Sequence, residues 1–261
     1  MDAPAPAVIL TGASAGIGLE LARVFARNGY RLVLIARRGE RLAQLAAEIA
    51  AAGHPAPVVL ALDLERPGAV EEVDAQLRAH GLAPQYVVNN AGFGLVGKAH
   101  ERDRAEQLRM IDLNIRTLTD FSLRWIDTLA RTRGGILNVA SVAGFLPGPS
   151  SAVYYASKAY VLHFTEALHR ELKRKGVRVT ALCPGPVPTE FQARAGLAEG
   201  DAPGLLTVSA ARVAEEGYRG LMAGKRVIVP GFFNKVVTVL PRFVPRALLL
   251  EAVHARQRRR R

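Results

Sequence analysis

The sequence predicts an open α/β fold, a doubly wound parallel sheet of about seven strands with helices on both faces. Three observations carry that reading. Short runs rich in Val, Ile and Leu alternate with longer stretches of helical period, as successive βαβ units require. A glycine-rich turn separates the first such run from the first helical stretch. Hydrophobic residues make up 49% of the 261 positions, enough to bury a large core in one unit.

Taken in order, strands are expected at residues 7–11 (AVILT), 31–36 (RLVLIA), 57–63 (PVVLALD), 86–90 (YVVNN), 135–141 (GILNVAS) and 177–183 (VRVTALC). Each is short, apolar and mostly bounded by turn residues. A helix over 17–28 follows the glycine turn and stops at Gly29, a C-terminal cap. A second, over 40–52, ends at Gly53, and long helical periods cover 108–132 and 154–175. Residues 196–204 (GLAEGDAPG) read as a loop before a last helix and a short strand at 226–230. No internal repeat is visible.

The turn itself, TGASAGIG at residues 11–18, is the first chemical signal. Gly12 permits a tight turn, while Gly16 and Gly18 remove side chains where backbone must approach a pyrophosphate and where helix packs on strand. The N–H groups and dipole of the following helix favour phosphate. The second strand ends in Arg37-Arg38, where an NAD-selective site would carry an acid for the ribose hydroxyl. Guanidinium suits a 2′-phosphate, to which Ser14 could add a donor, so NADP(H) is expected in preference to NAD(H).

Four segments together resemble the classical short-chain dehydrogenase/reductase family: TGASAGIG, NNAG at 89–92, Tyr154-x-x-x-Lys158, and PGPVPT at 184–189. The likeness runs from about residue 7 to 229, and its specific part is the spacing. It implies a Rossmann-type sheet of strand order 3-2-1-4-5-6-7, and places the catalytic set on Asn114, Ser141, Tyr154 and Lys158. Tyr154 would be the proton donor in ketone reduction, or the base in oxidation. A free phenol titrates near 10. Lys158, at i+4 on the same helix face, is expected to lower it and to reach the nicotinamide ribose. Ser141 would hydrogen-bond the substrate oxygen, and the Asn114 backbone would hold a water linking Lys158 to solvent. Tyr155 and Tyr160 lack the i+4 relation, and Ser150 and Ser151 lie too near Tyr154 to replace Ser141. The resemblance also carries cofactor contacts onto Gly12, Ser14, Gly16, Ile17, Gly18, Asn90, Gly92, Val187 and Thr189. Asp63 and Leu64 would meet adenine, with a helix N-cap as the competing reading of Asp63.

The remaining features narrow the class. The six histidines show no ligand spacing, so no metal site is expected. Cys183 is the only cysteine, which excludes an intrachain disulfide and fits a cytoplasmic protein. It reads as a buried strand residue. The segment MDAPAPAVILTG does not resemble a signal peptide, and no run of about 20 apolar residues suggests a spanning helix. Net charge is +12, but residues 219–261 hold eleven Lys/Arg against one acid, Glu251. A near-neutral body with a basic tail argues against nucleic-acid binding by the fold as a whole. Residues 1–230 are therefore expected to bind cofactor and catalyse, with 231–261 a basic, apolar extension. Pro241 and Pro245 split that extension into two short segments. A peripheral membrane contact and a pocket-closing helix with a frayed end are both open readings of it.

The expected activity is interconversion of a ketone and a secondary alcohol on an apolar substrate. Phe145, Leu146, Pro147 and Phe191 are its expected pocket lining. Substrate identity would reside in residues 93–99, 143–152 and 189–206. The family suggests a homo-oligomer, dimer or tetramer, with the basic tail favouring a dimer. The rival reading is a non-catalytic dinucleotide-sensing or membrane-peripheral scaffold, against which the complete Asn/Ser/Tyr/Lys set argues.

Overall fold

The computed structural model describes residues 3–196 and 204–258. Seven strands form one parallel sheet: β1 (Ala5–Thr11), β2 (Leu32–Ala36), β3 (Val58–Ala61), β4 (Leu82–Asn89), β5 (Gly135–Val139), β6 (Arg178–Leu182) and β7 (Val227–Ile228), in the order β3-β2-β1-β4-β5-β6-β7. That is the expected topology. The chain steps outward from β1 to β3, then returns to pair β4 on the other side of β1. The reversal opens a crevice beyond the C-terminal ends of β1 and β4, where such sheets bind ligands.

The strands are apolar on both faces because helices cover both. Ile9, Val33, Ile35, Val87, Ile136 and Val179 pack in one layer with Phe121, Leu129 and Leu168. Their neighbours Val8, Leu10, Leu32, Leu34, Val88 and Leu137 pack in the other with Leu21, Phe25, Leu42, Leu45, Val213 and Leu221. Each fully buried side chain of this size contributes about 1.5–3 kcal/mol. A polar ladder crosses the core. The Asn89 amide donates to Asn138 Oδ1 (2.8 Å) and Ser122 Oγ (3.0 Å), and the Asn138 amide to Thr165 Oγ1 (3.0 Å).

Helices α1 (Gly16–Arg27) and α2 (Gly39–Ala51) lie within a residue or so of expectation. Helix α3 (Ala69–Ala79) was not among the expected elements, although Val70, Val73 and Leu77 supply a buried stripe and Glu71 and Glu72 an acidic first turn. The long helix expected over 108–132 is broken. It begins at α4 (Arg104–Ile111), capped by Asp103, which accepts from Glu106 N at 2.7 Å. A π-helical turn follows (Asp112–Thr117), then α5 (Leu118–Leu123) and α6 (Ile126–Arg131). The break falls at Trp125, whose indole N–H is held by Asp74 of α3 at 2.8 Å. Helix α7 (Ala152–Leu172) runs unbroken, followed by α8 (Glu190–Ala195) and α9 (Ala210–Met222).

The extension forms α10 (Phe232–Val239), a 3₁₀ turn containing Pro241, and α11 (Arg246–Arg258). The prolines divide it as expected. Most of the 196–204 loop, and the arginines at 259–261, lie outside the described residues.

Candidate functional site

One cavity of about 620 Å³ occupies the crevice. Its first wall is the glycine turn. Gly12 has φ +68°, and a Cβ there would lie 2.7 Å from Asn90 Nδ2. A Cβ on Gly18 would come within 2.2 Å of the Gly12 carbonyl oxygen. Only glycine allows the start of α1 to lie so close to the ends of β1 and β4. The Asn90 amide spends itself on this closure, donating to Thr11 O (3.0 Å) and Gly12 O (3.1 Å), while Thr11 Oγ1 accepts from Asn90 N and Ala91 N at 3.0 Å. No side chain caps the start of α1, so its first N–H groups remain available to an anion. Gly16 faces Thr189, where a Cβ would sit 3.1 Å from Thr189 Cγ2.

The two arginines divide. Arg38 donates to Ser14 Oγ through Nε (3.2 Å) and Nη2 (3.1 Å), and pairs with Glu190 of α8 at 2.6 Å. Arg37 turns instead toward Glu65, at 3.6 Å. Arg41, one turn along α2, also reaches Glu190, at 2.5 Å. These two partners hold the Glu190 carboxyl below its usual range. Asp63 and Leu64 line the same end. Asp63 accepts from Glu65 N at 3.1 Å, so it closes a short turn and does not cap α3, whose N-cap is Gly68.

At the other end stand Ser141, Tyr154 and Lys158. Ser141 follows β5 and lines the cavity with Tyr154, its Oγ donating to Pro184 O at 3.4 Å. Its Oγ also accepts from Ala143 N at 3.1 Å. Lys158, one turn along α7, donates to Val139 O at 2.8 Å, with Nζ 6.0 Å from the Tyr154 ring centre. Burial pushes the phenol up to about 12, and Ser141 offsets only part of that. Burial brings the ammonium down to about 8. Burial is the largest cause of the phenol's shift, and in this geometry the Lys158 ammonium gives its hydrogen bond to Val139 O.

Asn114 lies in the π turn, 1% exposed, and does not line the cavity. Its Oδ1 accepts from Phe93 N (3.2 Å), and its Nδ2 donates to Phe93 O (3.0 Å) and Ser157 Oγ (3.1 Å). Ser157 in turn donates to Tyr154 O at 2.7 Å. The Asn114 side chain is thus a brace between the loop after β4 and the helix of Tyr154. Single π turns recur at functional sites. A Cβ on Gly92 would lie 2.8 Å from Asn114 Oδ1, so this brace also requires glycine there.

Tyr155 packs against Gly148, where a Cβ would lie 2.1 Å from its ring, and Tyr160 stacks on Phe164 at the surface. Leu146 and Phe191 line the cavity as expected. Phe145 does not; it packs against the buried cluster that includes Val161, Leu162 and Cys183. Pro147 is not in the lining either. Cys183 is buried, its thiol pushed up to about 12 by desolvation, and donates its backbone N–H to Ile228 O. Gly18 sits behind the turn, whereas Ile17, Val187 and Thr189 line the cavity. No group of three or more His, Cys, Asp or Glu is placed to hold a metal among the described residues.

Several site residues had no signal of their own in the sequence. Glu190 and Arg41 meet only because α8 folds back over α2. Asn234, the polar residue buried on the inner face of apolar α10, donates to Pro230 O (2.8 Å) and Leu206 O (3.1 Å) against Gly185. Val237 of α10 and Val253 of α11 are also in the lining, so the extension contributes to the cavity wall.

Against known proteins, residues 6–200 match the family model described as short chain dehydrogenase. Sulfoacetaldehyde reductase 2 of Chromohalobacter salexigens is 41% identical over 187 residues, 70% of this chain and 73% of that protein. A short-chain dehydrogenase from Sphingobium yanoikuyae, solved in complex with NADPH, superposes with a TM-score of 0.80 at 30% identity, over 93% of this chain and 97% of that one. The bulky-bulky ketone specific alcohol dehydrogenase from Comamonas testosteroni gives 0.76 at 26% identity, over 94% and 96%.

Proposed function

The chain belongs to the short-chain dehydrogenase/reductase family, and from that premise we propose that it is an NADP(H)-dependent oxidoreductase interconverting apolar ketones and secondary alcohols. Residues 1–230 would bind cofactor and catalyse, and 231–261 would close the pocket from outside the sheet. The observation that carries this reading is that Ser141, Tyr154 and Lys158 line one cavity together with the glycine turn.

The glycine cradle fits a dinucleotide: Cβ atoms at Gly12 and Gly18 would clash with backbone or Asn90, and the N–H groups at the start of α1 are uncapped. Ser14 and Arg38 would hold a 2′-phosphate, Asp63 and Leu64 the adenine, Asn90 and Gly92 the adjoining ribose, and Val187 and Thr189 the carboxamide. When bound, the cofactor supplies the hydride donor or acceptor. Ser141 donates a hydrogen bond to the substrate oxygen and holds it at Tyr154. Tyr154 passes its phenolic proton to that oxygen in reduction and takes it back in oxidation. Lys158 presents its ammonium behind the phenol and stabilises the anion left there. Asn114 and Ser157 fix the pitch of α7, and so the position of the phenol.

An apolar substrate is favoured by Leu95, Val96, Leu146, Leu206, Val237 and Val253 in the cavity wall, and by Phe191, whose ring lies 5.8 Å from that of Tyr154. Arg194, which also lines the cavity, stacks on Phe93 at 4.3 Å. The name of the Comamonas relative points the same way; that of the Chromohalobacter relative points to a small anionic aldehyde. Turnover of ketones of graded size, followed by NADPH absorbance, tests the reading. It predicts kcat/KM rising with apolar bulk, with NADPH preferred to NADH by about tenfold or more. Turnover confined to two-carbon anionic aldehydes would overturn the substrate class.

A further inference from the structure

We propose that the outer face of α10 and α11 docks on an anionic lipid bilayer. Asn234 and Thr238 bury the inner side of α10, and Val237 lines the cavity. The outer side is apolar. Phe232, Phe233, Val236, Val239 and Leu240 stand exposed at helical spacing, and Phe243 beyond them is 79% exposed. Leu248 and Leu250 continue the surface on α11. A contiguous apolar face of this kind needs a cover, and the protein itself supplies none on this side.

Charge identifies the cover. Lys235 and Arg246 are exposed on this segment, and residues 231–261 hold eight cations against Glu251 alone. A second copy of the chain would bring the same cationic segment onto itself. An anionic surface complements it. Other exposed apolar residues, Leu108, Ile111, Leu123 and Tyr160, lie on α4, α5 and α7, away from this segment in sequence. Among the described residues no helix is long and apolar enough to cross a membrane, so α10 and α11 would lie in the interface plane. Val237 and Val253 belong to these same helices, so the substrate end of the cavity adjoins the docked surface. Delivery of an apolar substrate from the bilayer rests on the reductase reading above; the docking does not.

The test is sedimentation of the full-length protein with phosphatidylcholine vesicles, with and without roughly one-third phosphatidylglycerol, at about 0.1 M salt. The protein should pellet with the anionic vesicles and bind neutral ones at least about tenfold more weakly. Phe232→Ser/Phe243→Ser and Lys235→Glu/Arg246→Glu should each weaken binding about tenfold or more. Both should leave the melting temperature and turnover of a water-soluble substrate unchanged. Wild-type protein that stays in the supernatant overturns the proposal. So does an oligomer that falls apart in the Phe232→Ser/Phe243→Ser variant without any vesicle binding, since a second copy is then the cover. Vesicle binding by a protein inactive on every ketone would support docking while removing the reductase reading.

Discussion

Lys158 lies buried with its ammonium on the Val139 carbonyl, and burial brings its pKa from 10.5 down to about 8. A depressed lysine pKa means that the unfolded chain binds more protons between those two values, so stability rises with pH across that window. The destabilisation is fully present below about 8 and gone above about 10.5. It amounts to about 3 kcal/mol, an order-of-magnitude figure. Lys158→Met removes it but leaves the Val139 carbonyl without its donor, at a cost of about 1–3 kcal/mol. Thermal denaturation should therefore show Lys158→Met melting a few degrees above the parent at pH 7, and below it once the pH passes about 10.5. A variant that melts lower at both pH values would contradict this account of the site. The pairing of Tyr154 with Lys158 was legible in the sequence because i and i+4 share a helix face. Their pKa values were not, because desolvation depends on every wall of the cavity, and those walls come from distant segments.

At the scale of elements, the ion pair from α2 to α8 across the glycine turn governs cofactor choice in this account. Arg38 and Arg41 both hold Glu190, and Arg38 also contacts Ser14, so the carboxylate competes for the cations a 2′-phosphate would need. Calorimetric titration should show Arg38→Ala weakening NADPH about tenfold with little effect on NADH. Glu190→Gln should tighten NADPH about threefold and leave NADH unchanged. Tighter NADH binding in Glu190→Gln, with NADPH unaltered, would place Glu190 outside the phosphate subsite. The basic pair at the end of β2 could be read from the sequence because its position follows from the strand. Glu190 could not, since nothing local brings α8 to α2. The same limit explains α3 and the π turn. The apolar stripe of α3 is short, and a π turn shifts the hydrophobic phase by a single residue, which a stretch with ragged periodicity hides. Phe145 was misassigned because a 3₁₀ turn over Val142–Phe145 directs it against the cluster of Val161, Leu162 and Cys183 while Leu146 lines the cavity.

Across the whole molecule, the sheet order and its crevice were legible because each βαβ unit announces itself by local period, and the connections between parallel strands admit few arrangements. The arrangement of the extension was not, because only the packed fold separates its cavity-lining residues, Val237 and Val253, from its exposed apolar surface. The central claim is that this crevice reduces apolar ketones by proton transfer from Tyr154. The most direct measurement is the loss of NADPH absorbance with a bulky apolar ketone, for the parent, Tyr154→Phe and Tyr155→Phe, with NADPH affinity measured in parallel. Tyr154→Phe should lose about three orders of magnitude or more in kcat with NADPH affinity nearly unchanged, and Tyr155→Phe should keep most of its activity. Full activity in Tyr154→Phe, or its loss in Tyr155→Phe alone, would contradict the account.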